Sequence, residues 1–93
     1  MITFKTLHIL NKSPEHSRYR LCLAAVGSED AVLLTENGVL ATARPPEIDP
    51  KRWFALGPDL QARGLSSHLS KDQTLSYDDM VELTATAENV ISW

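Results

Sequence analysis

Short apolar runs, each closed by turn residues, recur along the chain. Ile2, Phe4, Leu7, Ile9 and Leu10 make an imperfect alternation that predicts a strand over Ile2 to Leu10. Asn11-Lys12-Ser13-Pro14 closes it with turn chemistry. Ser13 is placed to cap a helix, with Pro14 in its first turn and Glu15 near the positive end of its dipole. That helix is expected to reach about Val26, with Gly27 ending it. Asp30 to Thr35 holds Ala31-Val32-Leu33-Leu34, an unbroken apolar run of the kind found in a strand buried on both faces. The Asn37-Gly38 turn pair ends it, Val39 to Ala43 reads as a short helix, and the prolines of Arg44 to Pro50 read as a surface loop. Trp53-Phe54-Ala55-Leu56 predicts a third strand, and Gly57-Pro58-Asp59-Leu60 opens a short helix that Gly64 stops. Ser66 to Gln73 is polar loop, and Thr74 to Tyr77 reads as a brief fourth strand. Met80, Leu83 and Ala87 then place one apolar face on a helix from about Asp79 to Ala87. The tail, Val90-Ile91-Ser92-Trp93, is apolar again.

Strands alternating with helices predict an α/β domain: a mostly parallel sheet of four or five short strands with helices on both faces. At 93 residues the chain has room for one such unit, spanning 1–93. Ligands in doubly wound folds gather at the carboxyl ends of strands. Here those ends are Asn11-Lys12-Ser13, Glu36-Asn37-Gly38, Gly57-Pro58-Asp59 and Tyr77-Asp78.

Composition narrows the function. No apolar run approaches the ~18 residues that span a bilayer, and the amino terminus lacks the pattern of a signal peptide. A single cysteine makes no intrachain disulfide, which points to a reducing compartment, most simply the cytosol. The net charge of −3 and the absence of any basic run longer than Lys51-Arg52 disfavour direct nucleic-acid binding. The four glycines are too scattered for a phosphate-binding loop, and His8, His16 and His68 have no metal-ligand spacing, so neither cofactor nor metal is expected. Asp78, Asp79 and Glu82 read first as partners of a helix dipole and only second as a paired-carboxylate site.

Cys22 is the one candidate for covalent chemistry. A sulfur-accepting thiol needs a lowered pKa, from a helix amino end or a nearby cation. Cys22 lies deep in its helix between Leu21 and Leu23, a setting that suits a buried structural cysteine. Arg18, one turn earlier on the same stripe, is the cation best placed to activate it.

Four segments carry a family resemblance: Leu7-His8-Ile9-Leu10-Asn11-Lys12-Ser13-Pro14, Asp30-Ala31-Val32-Leu33-Leu34-Thr35-Glu36-Asn37-Gly38-Val39, Ala55 to Leu65 with its Asp59-Leu60-Gln61-Ala62-Arg63-Gly64 core, and Tyr77 to Thr84 followed by Trp93. Taken in order they resemble the TusB/DsrH family of sulfur-relay subunits. The resemblance implies a DsrE-like α/β fold in a cytoplasmic heterohexamer with TusC/DsrF-type and TusD/DsrE-type sister subunits. In its tRNA branch such a complex takes persulfide sulfur from an upstream carrier protein and passes it downstream, toward 2-thiolation of the wobble uridine of tRNA. The principal acceptor cysteine then lies on the TusD/DsrE-type sister. In the sulfur-oxidising branch the corresponding subunit tends to carry a cysteine in the first helix, and Cys22 falls near that position. The loop from Ala43 to Lys51 is short beside that of many relatives.

The reading that follows is an accessory subunit of a sulfurtransferase complex, not catalytic alone, meeting tRNA only through other chains and no membrane. One alternative is a DsrH-type persulfide carrier in dissimilatory sulfur oxidation that uses Cys22. Another is a stand-alone homodimer of the same fold that binds a small molecule. The tail 90–93 and Trp53 are the candidate partner surfaces, unless both tryptophans close their own core.

Overall fold

The computed structural model describes residues 3–93, so the start of the predicted first strand, at Ile2, lies outside the described residues. Five strands form one sheet in the order β4-β3-β2-β1-β5: β1 (Thr6–Leu10), β2 (Ala31–Leu34), β3 (Trp53–Leu56), β4 (Thr74–Leu75) and β5 (Asn89–Ser92). Every neighbouring pair is parallel. The fifth strand is the apolar tail, which pairs with β1 from Thr6↔Asn89 to Ile9↔Ser92.

Helices α1 (Ser17–Ala25) and α2 (Gly57–Ala62) and the 3-10 segment Glu36–Ala43 cover one face, while α3 (Tyr77–Thr86) covers the other. The first face buries Leu10, Val32, Leu34 and Ala55 beneath Tyr19, Cys22, Val39 and Leu60. The second buries Phe4, Leu7, Ala31 and Leu33 against Leu83. The unbroken run Ala31-Val32-Leu33-Leu34 is explained by this arrangement. Its odd and even residues face opposite cores, and all four are 0% exposed. Strands β1 to β4 advance in one direction with their connections on the first face. The return from β4 to β5 crosses the second face, as right-handed crossovers require. The direction of winding therefore reverses at β1, between β2 and β5. No helix among the described residues is long and apolar enough to cross a membrane.

Several local expectations are corrected. Helix α1 is capped by His16, whose Nδ1 accepts from the Arg18 amide at 3.1 Å. Ser13 instead closes a preceding turn, its carbonyl accepting from His16 N at 3.0 Å. The Asn37-Gly38 pair sits inside the 3-10 segment rather than ahead of a helix beginning at Val39. The polar stretch 66–73 contains two short 3-10 turns, Ser66–His68 and Lys71–Gln73. Strand β4 stops at Leu75 because Ser76 caps α3, so the helix begins at Tyr77 rather than Asp79. Ser76 and Asp79 form a reciprocal capping box, with both hydrogen bonds at 3.1 Å, which gives Asp79 a structural role. Trp53 is only 3% exposed and belongs to the core, so it is removed from the candidate docking surface.

Candidate functional site

The reversal at β1 puts the carboxyl ends of β1 and β5 side by side, where doubly wound folds build their sites. Lys12, just past β1, donates from Nζ to the Asn11 side chain and, at 2.9 Å, to the backbone oxygen of Trp93. The Arg18 guanidinium lies over the Trp93 ring, 5.9 Å from its centroid, a cation-π contact worth about 0.5–1 kcal/mol at an exposed position. The ends of β2 and β3 are tied to this region. Thr35 N donates to Leu10 O at 3.0 Å, Glu36 N donates to Asp59 Oδ2 at 2.7 Å, and Arg63 Nη2 donates to Asn37 Oδ1 at 3.1 Å. Glu36 takes a left-handed backbone with φ of 48°, a strain held by these contacts. Tyr77 and Asp78 stand apart at the far edge, exposed at the start of α3.

Beneath α1 a polar seam crosses an otherwise apolar face. Trp93 Nε1 donates to His8 Nδ1 at 3.1 Å, and His8 Nε2 lies 3.1 Å from Asp30 Oδ2. Asp30 also accepts from Gly27 N at 2.8 Å. Arg52 donates from Nη1 to the carbonyls of Gly27 and Asp30, at 2.8 and 3.0 Å. Every buried side-chain polar atom among the described residues has a partner. Burial works against the Asp30 carboxylate, but the Gly27 amide, the His8 ring and the Thr6 amide outweigh it and hold its pKa below the ordinary value. A carboxylate so lowered adds stability above about pH 4, and that contribution is lost as pH falls through the folded-state pKa. Replacing Asp30 by alanine is expected to cost about 1–3 kcal/mol by leaving buried donors unpaired, and to flatten the acid limb of a urea-denaturation series.

Sequence reasoning finds no metal-ligand spacing for His8 and does not single out Asp30 as part of a site. The available signals were a histidine inside an apolar strand and an acid immediately before one. Cys22, the residue it did single out, lies on the same face of the sheet. Its thiol is free of any disulfide and 0% exposed, packed in the cluster that holds Leu10, Tyr19 and Val39, with Trp93 against its border. Burial pushes the thiol up to about 12. Arg18 gives its charge to the Trp93 ring, and the shift at Cys22 has burial as its cause. In this conformation the thiol is a protonated core group. On the opposite face, a cavity of about 430 Å³ opens beside α3, lined by Phe4, Phe54 and Leu75 together with Lys51 and Asp72.

The family model for "DsrH like protein" matches residues 12–90. "Protein TusB" of Yersinia pestis (strain Pestoides F) is 33% identical over 94 residues, covering 94% of this chain and 99% of the relative. "Protein TusB" of Yersinia pseudotuberculosis serotype O:1b (strain IP 31758) has the same identity and coverage. A parallel β4-β3-β2-β1-β5 sheet and a match over nearly its whole length agree with the four sequence segments: this chain belongs to the DsrH/TusB family.

Proposed function

We propose that this chain is an accessory subunit of a cytoplasmic sulfur-relay complex serving 2-thiolation of the tRNA wobble uridine, with the principal persulfide cysteine on a homologous partner. Membership of the DsrH/TusB family supports the relay. The observation that carries the accessory role is the state of Cys22, wholly buried and with its thiol pushed up to about 12. A sulfur acceptor works as a thiolate, and this environment suppresses the thiolate. The partners are TusC/DsrF-type and TusD/DsrE-type subunits, with carrier proteins upstream and downstream. Strand β5 offers them an open sheet edge on which Val90 and Ile91 are 44% and 43% exposed. With a net charge of −3, the chain leaves tRNA contact to the other subunits.

Co-expression with the two sister subunits, followed by native mass determination and persulfide loading, tests the proposal. The expected result is a stable hetero-oligomer whose sulfur relay survives Cys22→Ser and is abolished when the sister subunit's cysteine is replaced. Stoichiometric gain of one sulfur on this chain, about 32 daltons, with relay lost in Cys22→Ser, would instead establish the persulfide-carrier reading. Recovery of the chain only as a homodimer would replace both with the small-molecule-binding reading.

A further inference from the structure

The hydrogen bonds around His8 fix its protonation state by elimination. An indole N–H is a donor only, so the His8 Nδ1 that faces Trp93 Nε1 at 3.1 Å must hold a lone pair. The ring proton therefore sits on Nε2 and points to Asp30 Oδ2, also at 3.1 Å. His8 is neutral in this arrangement, and it is 2% exposed. We infer that His8 is an acid-operated latch: one proton taken from solvent onto Nδ1 sets two donors against each other and releases Trp93 and the carboxyl end of β5 from the sheet.

The surrounding charges set the terms of the conflict. Asp30, leading into β2, stays bonded to Nε2–H in either state. From α1 and the end of β1, the cations of Arg18 on the Trp93 ring and Lys12 on the Trp93 backbone oxygen oppose a further positive charge nearby. Arg52, ahead of β3, holds the backbone on the far side of Asp30. Tyr19 and Cys22 of α1, in the adjoining core, both have raised pKa values and remain neutral through the range in question. The in-register neighbours of His8, Val32 on β2 and Ile91 on β5, carry no charge. A protonated His8 thus keeps its carboxylate and loses its indole. Swinging Trp93 out removes the donor clash and admits water to Nδ1. The last bond of the β1–β5 ladder, from Trp93 N to Ile9 O at 2.8 Å, goes with it. The output of the latch is the edge strand, whose exposed Ile91 and Val90 lie two and three residues before the released Trp93.

The test follows the full-length chain by NMR from pH 8 to pH 5. His8 protonation is read from its ring carbon shifts, and hydrogen-exchange protection of the Trp93 indole, corrected for intrinsic rate, is read beside it. Trp93 protection is expected to fall at least about tenfold in step with His8 protonation, while the Leu33 and Leu34 amides stay protected. His8→Gln keeps a neutral side chain that can donate and accept, and is expected to hold Trp93 across the range. Unchanged indole protection through the His8 titration overturns the inference. So does loss of Leu33 and Leu34 protection at the same pH, a His8 that stays neutral to pH 5, or pH-dependent release that persists in His8→Gln. Should His8→Gln not fold, the wild-type titration decides alone.

Discussion

Replacing Gly38 by alanine is expected to destabilise the protein more than the same change at Gly27, Gly57 or Gly64. A Cβ at position 38 would fall 3.1 Å from the Leu10 carbonyl carbon and closer still to its oxygen. That oxygen already accepts from Thr35 N at 3.0 Å, and Gly38 N itself donates to Thr35 O at 2.8 Å. The obstacle is thus backbone held from both sides at the joined ends of β1 and β2, and no flexible side chain can yield. Relief requires moving the 3-10 segment Glu36–Ala43 off the sheet, and with it Val39 and Ala41, both 0% exposed. Overpacking of this kind costs about 3 kcal/mol or more. For a domain of this size that lowers Tm by roughly 12–24 °C, measurable by circular dichroism. Gly64→Ala is the control. Its φ of +67° strains a side chain, but nothing lies within 4 Å, so the expected loss is about 1 kcal/mol. Equal losses at the two positions would show that close approach to Leu10 is not what requires glycine at 38.

The sheet was legible where burial acts on both faces at once. Ala31-Val32-Leu33-Leu34 and Trp53-Phe54-Ala55-Leu56 announce strands without any alternation, and the observed parallel pairing explains why. The tail was recognised as apolar but not as a strand with a definite place, because β5 gains its identity from β1, more than 80 residues away in sequence. Helix starts were the least legible feature. Ser13-Pro14 has the chemistry of a helix start, yet a turn closed on Ser13 O delays α1 until His16 can cap it. The strand expected over Thr74 to Tyr77 ends at Leu75, because the Ser76–Asp79 capping box draws Tyr77 into α3.

The candidate site divides the same way. A cysteine is visible in any sequence, and the apolar neighbours of Cys22 correctly indicate a buried thiol. The His8–Asp30–Trp93 seam has no local signature. Its members come from the middle of β1, the entry to β2 and the exit from β5, and only the strand order brings them together. Arg18 lies one turn from Cys22, as its spacing requires, yet its cation is drawn to the Trp93 ring that the fold places beside it.

Native Cys22 is therefore expected to react with iodoacetamide far more slowly than the same cysteine in the unfolded chain. Burial moves the thiol from 9.0 to about 12, so at any pH below both values the thiolate is reduced roughly a thousandfold. Because the side chain is 0% exposed, steric exclusion slows the reaction further, and what remains reports transient opening of α1 from the sheet. Mass spectrometry of the isolated chain at pH 8, with and without denaturing urea, reads the ratio directly. A native rate within tenfold of the unfolded one would mean that the thiol reaches solvent in the folded chain, and the accessory reading would lose its main support. Repeating the measurement in the assembled complex extends the argument. An accessory subunit should show the same or greater protection of Cys22 once partners cover it. A rate that rises on assembly would mean that partners draw the thiol out and supply the positive charge its thiolate needs, the condition under which Cys22 accepts sulfur.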